Sequence, residues 1–107
     1  MKKLFFVRHG QTEWNAARRM QGQLNSDLTL LGKEQANTNG KFLASRNIEH
    51  LIASPLGRTR QTAAIINQYL AHKIIYDERV MEWDCGDWSG EPWGELEKNW
   101  PTEFSNW

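Results

Sequence analysis

The stretch Leu4-Phe5-Phe6-Val7-Arg8-His9-Gly10 decides the fold. Four apolar residues rich in aromatic and β-branched types predict a short buried strand. The run stops at an arginine, a histidine and a glycine, and the glycine lets the backbone turn. Open α/β sheets bind ligands at the carboxyl ends of their strands, so this ending would deliver a guanidinium and an imidazole to such an edge. The planar guanidinium fork matches phosphate oxygens, and imidazole serves as nucleophile or general base. Taken alone, the tripeptide fits a polar turn with solvated Arg8 and His9 better than a site.

Moving outward, Gln11–Asp27 is polar and aperiodic and reads as a loop, with a helical turn around Trp14–Arg18. Thr29 is placed to cap a helix from Leu30 to about Ser45. Its apolar positions Leu31, Phe42 and Leu43 are sparse, which predicts a mostly solvent-facing helix. Leu51-Ile52-Ala53 reads as a second buried strand. Ser54-Pro55 predicts the next helix start, serine as N-cap and proline in the first turn. That helix runs to about Leu70, with Leu56, Ala63, Ile66 and Leu70 on one face. Ile74-Ile75-Tyr76 reads as a third strand. Asp77–Trp88 is irregular, with Gly86 and Gly90 as turn residues. Pro92 begins a short helix, with Trp93, Leu96 and Trp100 on one face, that must end before Pro101. Pro101-Thr102 opens another turn of helix that carries Phe104 and Trp107. Strands alternating with helices predict an α/β domain around a mainly parallel sheet.

Composition narrows the class. With 107 residues the chain is at most one small domain. Its 13 basic and 13 acidic residues balance, so nothing points to nucleic acid or an anionic membrane surface. A single cysteine, Cys85, forbids an internal disulfide and fits a reducing, cytoplasmic setting. Lys2-Lys3 before Leu4–Val7 superficially looks like a secretion leader, but four apolar residues are too few for its core. No stretch has transmembrane length.

On this skeleton the chemistry converges. Arg8 and His9 follow the first predicted strand, Ser54 and Arg58 the second, and Glu82 the third. Parallel strands open on one edge, which gathers two guanidiniums, an imidazole and a carboxylate there. The helix amino terminus at Pro55–Arg58 adds unpaired N–H groups and a positive dipole end. No cluster of Asp, His and Cys has metal-ligand spacing, and no cofactor motif is present.

These residues resemble the histidine phosphatase superfamily, the phosphoglycerate mutase-like proteins. The match runs through Arg8-His9-Gly10-Gln11-Thr12-Glu13-Trp14-Asn15, Gln21-Gly22, Leu28-Thr29 with Gly32, and Ser54-Pro55-Leu56 with Arg58-Thr59 and Thr62-Ala63. It resumes at Glu82, Gly86-Asp87-Trp88 and Gly90, and again at Pro101, Phe104 and Trp107. The Glu82–Gly90 segment looks more like the phosphatase members, including those acting on cobalamin precursors, than the glycolytic mutases.

The resemblance implies a three-layer α/β sandwich with a mainly parallel sheet, in which His9 becomes phosphorylated. Arg8 and Arg58 would hold the phosphoryl oxygens, Asn15 would orient the pocket, and Gln21-Gly22 would line the substrate side. Glu82 would donate a proton to the leaving oxygen, kept protonated by a pocket beside Trp83 and Trp88. It also implies a metal-independent phosphomonoester hydrolase for small phosphorylated metabolites. A phosphoglycerate mutase-type phosphotransferase and a non-catalytic module that binds phosphate esters or a partner are the alternatives.

The family pattern carries a second histidine after a later strand. Only His50 and His72 accompany His9 here, and both precede strands, at the wrong edge of the sheet. Family members are about twice as long, so the chain reads as a single domain over residues 1–107 with its C-terminal part missing. Arg18-Arg19 and Arg60 are expected to be solvated, and Cys85 to be a plain small residue near the pocket rim. Nothing in the sequence sets the oligomeric state, a homodimer included.

Overall fold

The computed structural model describes residues 3–82 and 84–106. Its elements are α1 (Glu13–Ala16), α2 (Leu30–Leu43), β1 (Leu51–Ala53), α3 (Gly57–Leu70), β2 (Ile74–Tyr76), α4 (Trp93–Asn99) and α5 (Pro101–Asn106), with 3₁₀ turns at Glu78–Val80 and Gly86–Trp88. β1 and β2 pair in parallel, Leu51 opposite Ile74 and Ala53 opposite Tyr76, joined through α3. The α/β class with a parallel sheet therefore holds.

Leu4–Val7 is the main departure. It forms no strand: no backbone hydrogen bond ties it to another described segment, and Leu4 and Phe6 are 84% and 92% exposed. A strand exists only by pairing, and Leu4–Val7 pairs with no described segment. Its opposite side is half covered, with Phe5 meeting the edge of Phe42 on α2 at 6.4 Å between ring centroids.

Helix α2 begins as expected, Thr29 accepting the Gly32 N–H at 3.0 Å. Its buried face, however, is Gly32, Ala36, Gly40 and Leu43 rather than a large apolar stripe. Small residues bring backbones together: a Cβ on Gly40 would lie 2.5 Å from the Tyr69 ring of α3. Leu31 and Phe42 stay half exposed. Helix α3 starts at Gly57, later than Ser54-Pro55 predicts, with Leu56 at the cap and no capping bond from its own side chain. The Asn25 carboxamide does that work from the loop, accepting the Arg58 N–H at 2.8 Å. Ser54 Oγ is left to accept the Leu56 N–H.

At the far end, Leu96 is fully buried while Trp93 and Trp100 are part-buried, and Trp88 packs on both Trp100 and Phe104. α4 stops before Pro101, as expected. Trp83 and Trp107, and Lys2 of the basic start, lie outside the described residues. Among the described residues no helix is long and apolar enough to cross a membrane.

Candidate active site

Gly10 seats the site, and by close approach rather than by an unusual turn. A Cβ there would fall 2.2 Å from the Gly32 carbonyl oxygen, and one on Gly32 would fall 2.0 Å from that of Gln11. The chain beside His9 therefore rests directly on the first turn of α2. Thr62 of α3 fixes it from the other side, its buried hydroxyl accepting the Gly10 N–H at 3.1 Å and donating to the Arg58 carbonyl at 2.8 Å.

His9 is part-buried, and its Nδ1 lies 2.7 Å from the Gly10 carbonyl oxygen. A carbonyl only accepts, so Nδ1 carries the proton and Nε2 of the neutral ring keeps a lone pair. Burial lowers the imidazole pKa below its usual 6.5, and the Arg58 and Arg8 charges lower it further; the Gly10 carbonyl and the Glu82 carboxylate oppose this. The ring is held neutral, as a nucleophile must be. These influences also place Arg8, Arg58 and Glu82 within electrostatic reach of one imidazole.

Arg58 is almost fully buried, at 2% exposure. Its guanidinium donates through Nη1 to the Leu24 carbonyl at 2.6 Å and through Nη2 to that of Gly22, while buried Nε has no partner among the described residues. Arg58 thus holds the loop that carries Gln21 and Gly22. Both of those residues are buried, and the Gln21 carboxamide accepts from Ser26 at 2.9 Å. Asn15 closes a capping box on α1 with Thr12.

Glu82 is exposed, contrary to the burial expected beside Trp83 and Trp88. Only part-buried Trp88 of that pair is described, and it packs on Trp100 and Phe104. The Glu82 backbone carbonyl accepts from Gln23 Nε2 at 3.2 Å.

A cavity of about 720 Å³ opens beside His9, lined by Arg8, Gln11, Asn15, Gln35 and Trp93 among others. Arg58, Gln21, Gly22 and Glu82 do not line it. The structure thus gathers His9, Arg8 and Asn15 on one wall and leaves the other candidates beyond it. The Trp93 indole N–H is buried without a partner among the described residues.

Arg19 is part-buried rather than solvated. It stacks over Trp14 at 4.4 Å and donates twice to the Gly90 carbonyl, at 2.7 and 2.9 Å. Exposed Arg60 lies over the Tyr76 ring. Burial and the Glu82 and Asp84 charges push the Cys85 thiol pKa up, against a thiolate role. His72 bonds Ile48 and Asn67 just ahead of β2, and His50 is exposed ahead of β1. Asn25 and Thr62 were not legible as site supports because each acts through a partner distant in sequence, and Trp93 because it reaches the cavity only through the fold. Among the described residues no group of three or more His, Cys, Asp or Glu side chains is placed to hold a metal.

The structure thus joins a parallel α/β core to a cavity lined by a part-buried histidine and an arginine. The chain belongs to the histidine phosphatase superfamily (branch 1), whose family model matches residues 4–107. It is 48% identical over 86 residues to a "Probable phosphoglycerate mutase GpmB" of Salmonella choleraesuis, covering 80% of this chain and 40% of that one. Among solved structures it resembles Bacillus stearothermophilus YhfR, with 37% identity and a TM-score of 0.87, over 92% of this chain and 49% of that chain. It also resembles a mycobacterial glucosyl-3-phosphoglycerate phosphatase in complex with VO3, with 32% identity and a TM-score of 0.86, over 91% and 49%. The chain spans half or less of the length of each of these relatives.

Proposed function

We propose that His9 is the phosphate acceptor of a phosphomonoester hydrolase that acts on small phosphorylated metabolites. The observation that carries this reading is the 2.7 Å contact between His9 Nδ1 and the Gly10 carbonyl. It orders the ring with Nε2 unprotonated in a setting of two guanidiniums. In the first step the Nε2 lone pair attacks phosphorus, the ester P–O bond breaks, and the leaving oxygen takes a proton from the Glu82 carboxyl, whose exposed side chain has to turn toward the cavity to reach it. In the second, water attacks the phosphohistidine, the N–P bond breaks, and Glu82 takes the water's proton. Arg8 and Arg58 balance the charge on the equatorial oxygens, which is the main demand of phosphoryl transfer. For Arg58 this means turning part of its fork from Gly22 and Leu24 toward the phosphoryl group. Asn15 orients the pocket and the Gln21-Gly22 loop borders the substrate.

The relative named a phosphatase supports hydrolysis. The relative named a probable phosphoglycerate mutase supports transfer to a second hydroxyl, and product analysis with a phosphoglycerate separates the two.

The test is covalent labelling. Incubation with a labile phosphoryl donor is expected to leave acid-labile, alkali-stable phosphate on the protein, absent from His9→Ala. The initial rate of labelling should hold below pH 6.5 and fall as pH drops through the lowered His9 pKa. Equal labelling of His9→Ala removes the assignment.

A further inference from the structure

The His9 ring is oriented by one peptide group, and that group is held from its other end. The Gly10 carbonyl oxygen takes the Nδ1 proton at 2.7 Å, while the N–H of the same Gly10–Gln11 peptide donates to Gln35 Oε1 at 2.9 Å. The peptide is trans, so it is planar and its C=O and N–H point in opposite directions. The imidazole and the Gln35 carboxamide therefore sit at the two ends of one rigid amide. Residue 10 is a glycine, whose ψ gives this plane freedom to rotate, and rotation carries the carbonyl away from Nδ1.

The neighbouring planes have anchors of their own. Thr62 accepts the Gly10 N–H, and the Gln11 carbonyl accepts the Thr29 N–H at 2.9 Å. Thr62 also bonds the Arg58 carbonyl, and Thr29 also caps α2. The Gln35 carboxamide has no other partner among the described residues, and it stands exposed within α2 on the wall of the His9 cavity.

We propose that Gln35 is a positioning residue that selects the His9 tautomer. By accepting the Gln11 N–H it fixes the plane and polarises the Gly10 carbonyl at the far end, which strengthens the bond from Nδ1. With Nδ1 committed as donor, the lone pair of the neutral ring falls on Nε2. Gln35 acts through the backbone and makes no contact with the phosphoryl group. Water competes for an exposed N–H, so the expected effect is a partial loss of order in the ring. The part of Gln35 in the reaction rests on His9 being the phosphate acceptor; its hold on the ring does not.

The test follows the histidine ring nitrogens of the isotopically labelled chain by NMR, with His9→Ala to assign the His9 signals. At a pH well above 6.5 the ring is neutral. The unsubstituted chain is expected to show a protonated Nδ1 and a bare Nε2. Gln35→Leu removes the acceptor from an exposed helix position, so the two nitrogen shifts should move toward each other as the second tautomer fills. Its initial rate of labelling by phosphoramidate should fall about 5-fold, with the melting temperature unchanged. Gln35→Glu returns an acceptor oxygen and should restore both the tautomer and most of the rate, which a merely structural side chain would not do. An unaltered tautomer or an unaltered rate in Gln35→Leu would overturn the proposal, as would a Gln35→Glu that behaves like the leucine variant. An unsubstituted chain that takes no phosphate counts against the phosphatase reading alone, and the ring shifts then decide the role of Gln35.

Discussion

The packed apolar side chains and the exposed ones of Leu4–Val7 and of β1 and β2 are similar in type and live in opposite environments. On the covered side, Ala36, Leu43, Ala53, Ala63 and Ile66 are each at most 6% exposed, and glycines let backbones touch. On the bare side, Leu4, Phe6, Ile52 and Ile75 are at least 47% exposed. Hydrophobicity alone does not make a core; the covered side has helices whose small residues fit it. The candidate nucleophile lies where the two environments meet, seated by the packed side and open on the other.

The comparison breaks most sharply at Gly10. Gly10→Ala drives a methyl into the Gly32 carbonyl and is expected to destabilise by about 3 kcal/mol or more. In a thermal melt it should leave little folded protein. An unchanged melting temperature would mean the two backbones are not in contact. Next comes a matched pair. Ile66→Ala, on the covered side, should cost about 3 kcal/mol, whereas Ile52→Ala should stay within ~0.5 kcal/mol. Equal losses in denaturant titrations would erase the distinction between the faces. The smallest effect belongs to the loop: Asn25→Ala removes the cap of α3 and should cost about 1 kcal/mol. The same variant should raise exchange at the Arg58 amide.

Much of the framework was legible in the sequence. Thr29 marked the start of α2, Leu51–Ala53 and Ile74–Tyr76 read as strands, and Pro92 and Pro101 bracketed α4, because these signals are local. The failures share a cause. Leu4–Val7 has strand composition, but a strand is a property of two segments. The face of α2 went unread because it is made of Gly32, Ala36 and Gly40, which no count of large apolar residues detects. Ser54-Pro55 looked like a complete cap, and the acceptor of the actual capping bond, Asn25, is 33 positions from the Arg58 N–H that it caps. For the candidate site, His9, Arg8, Arg58 and Glu82 could be named from strand endings. The exposure of Glu82 and the commitment of Arg58 to the Gly22 and Leu24 carbonyls depend on tertiary packing, which spacing does not encode.

Arg19 carries a consequence in time rather than in space. Its two bonds to Gly90, with Met20 to Glu91, Gly90 to Met20 and Trp93 to Arg18, close contacts between positions about seventy residues apart. During synthesis the segment that leads into the Gln21-Gly22 loop waits for the 90s to leave the ribosome before it can be clamped. At ~5–20 residues per second that is a delay of several seconds. Arg58 can hold the candidate substrate loop itself earlier, so the stretch Arg18–Met20 that enters it is clamped last although it is made first.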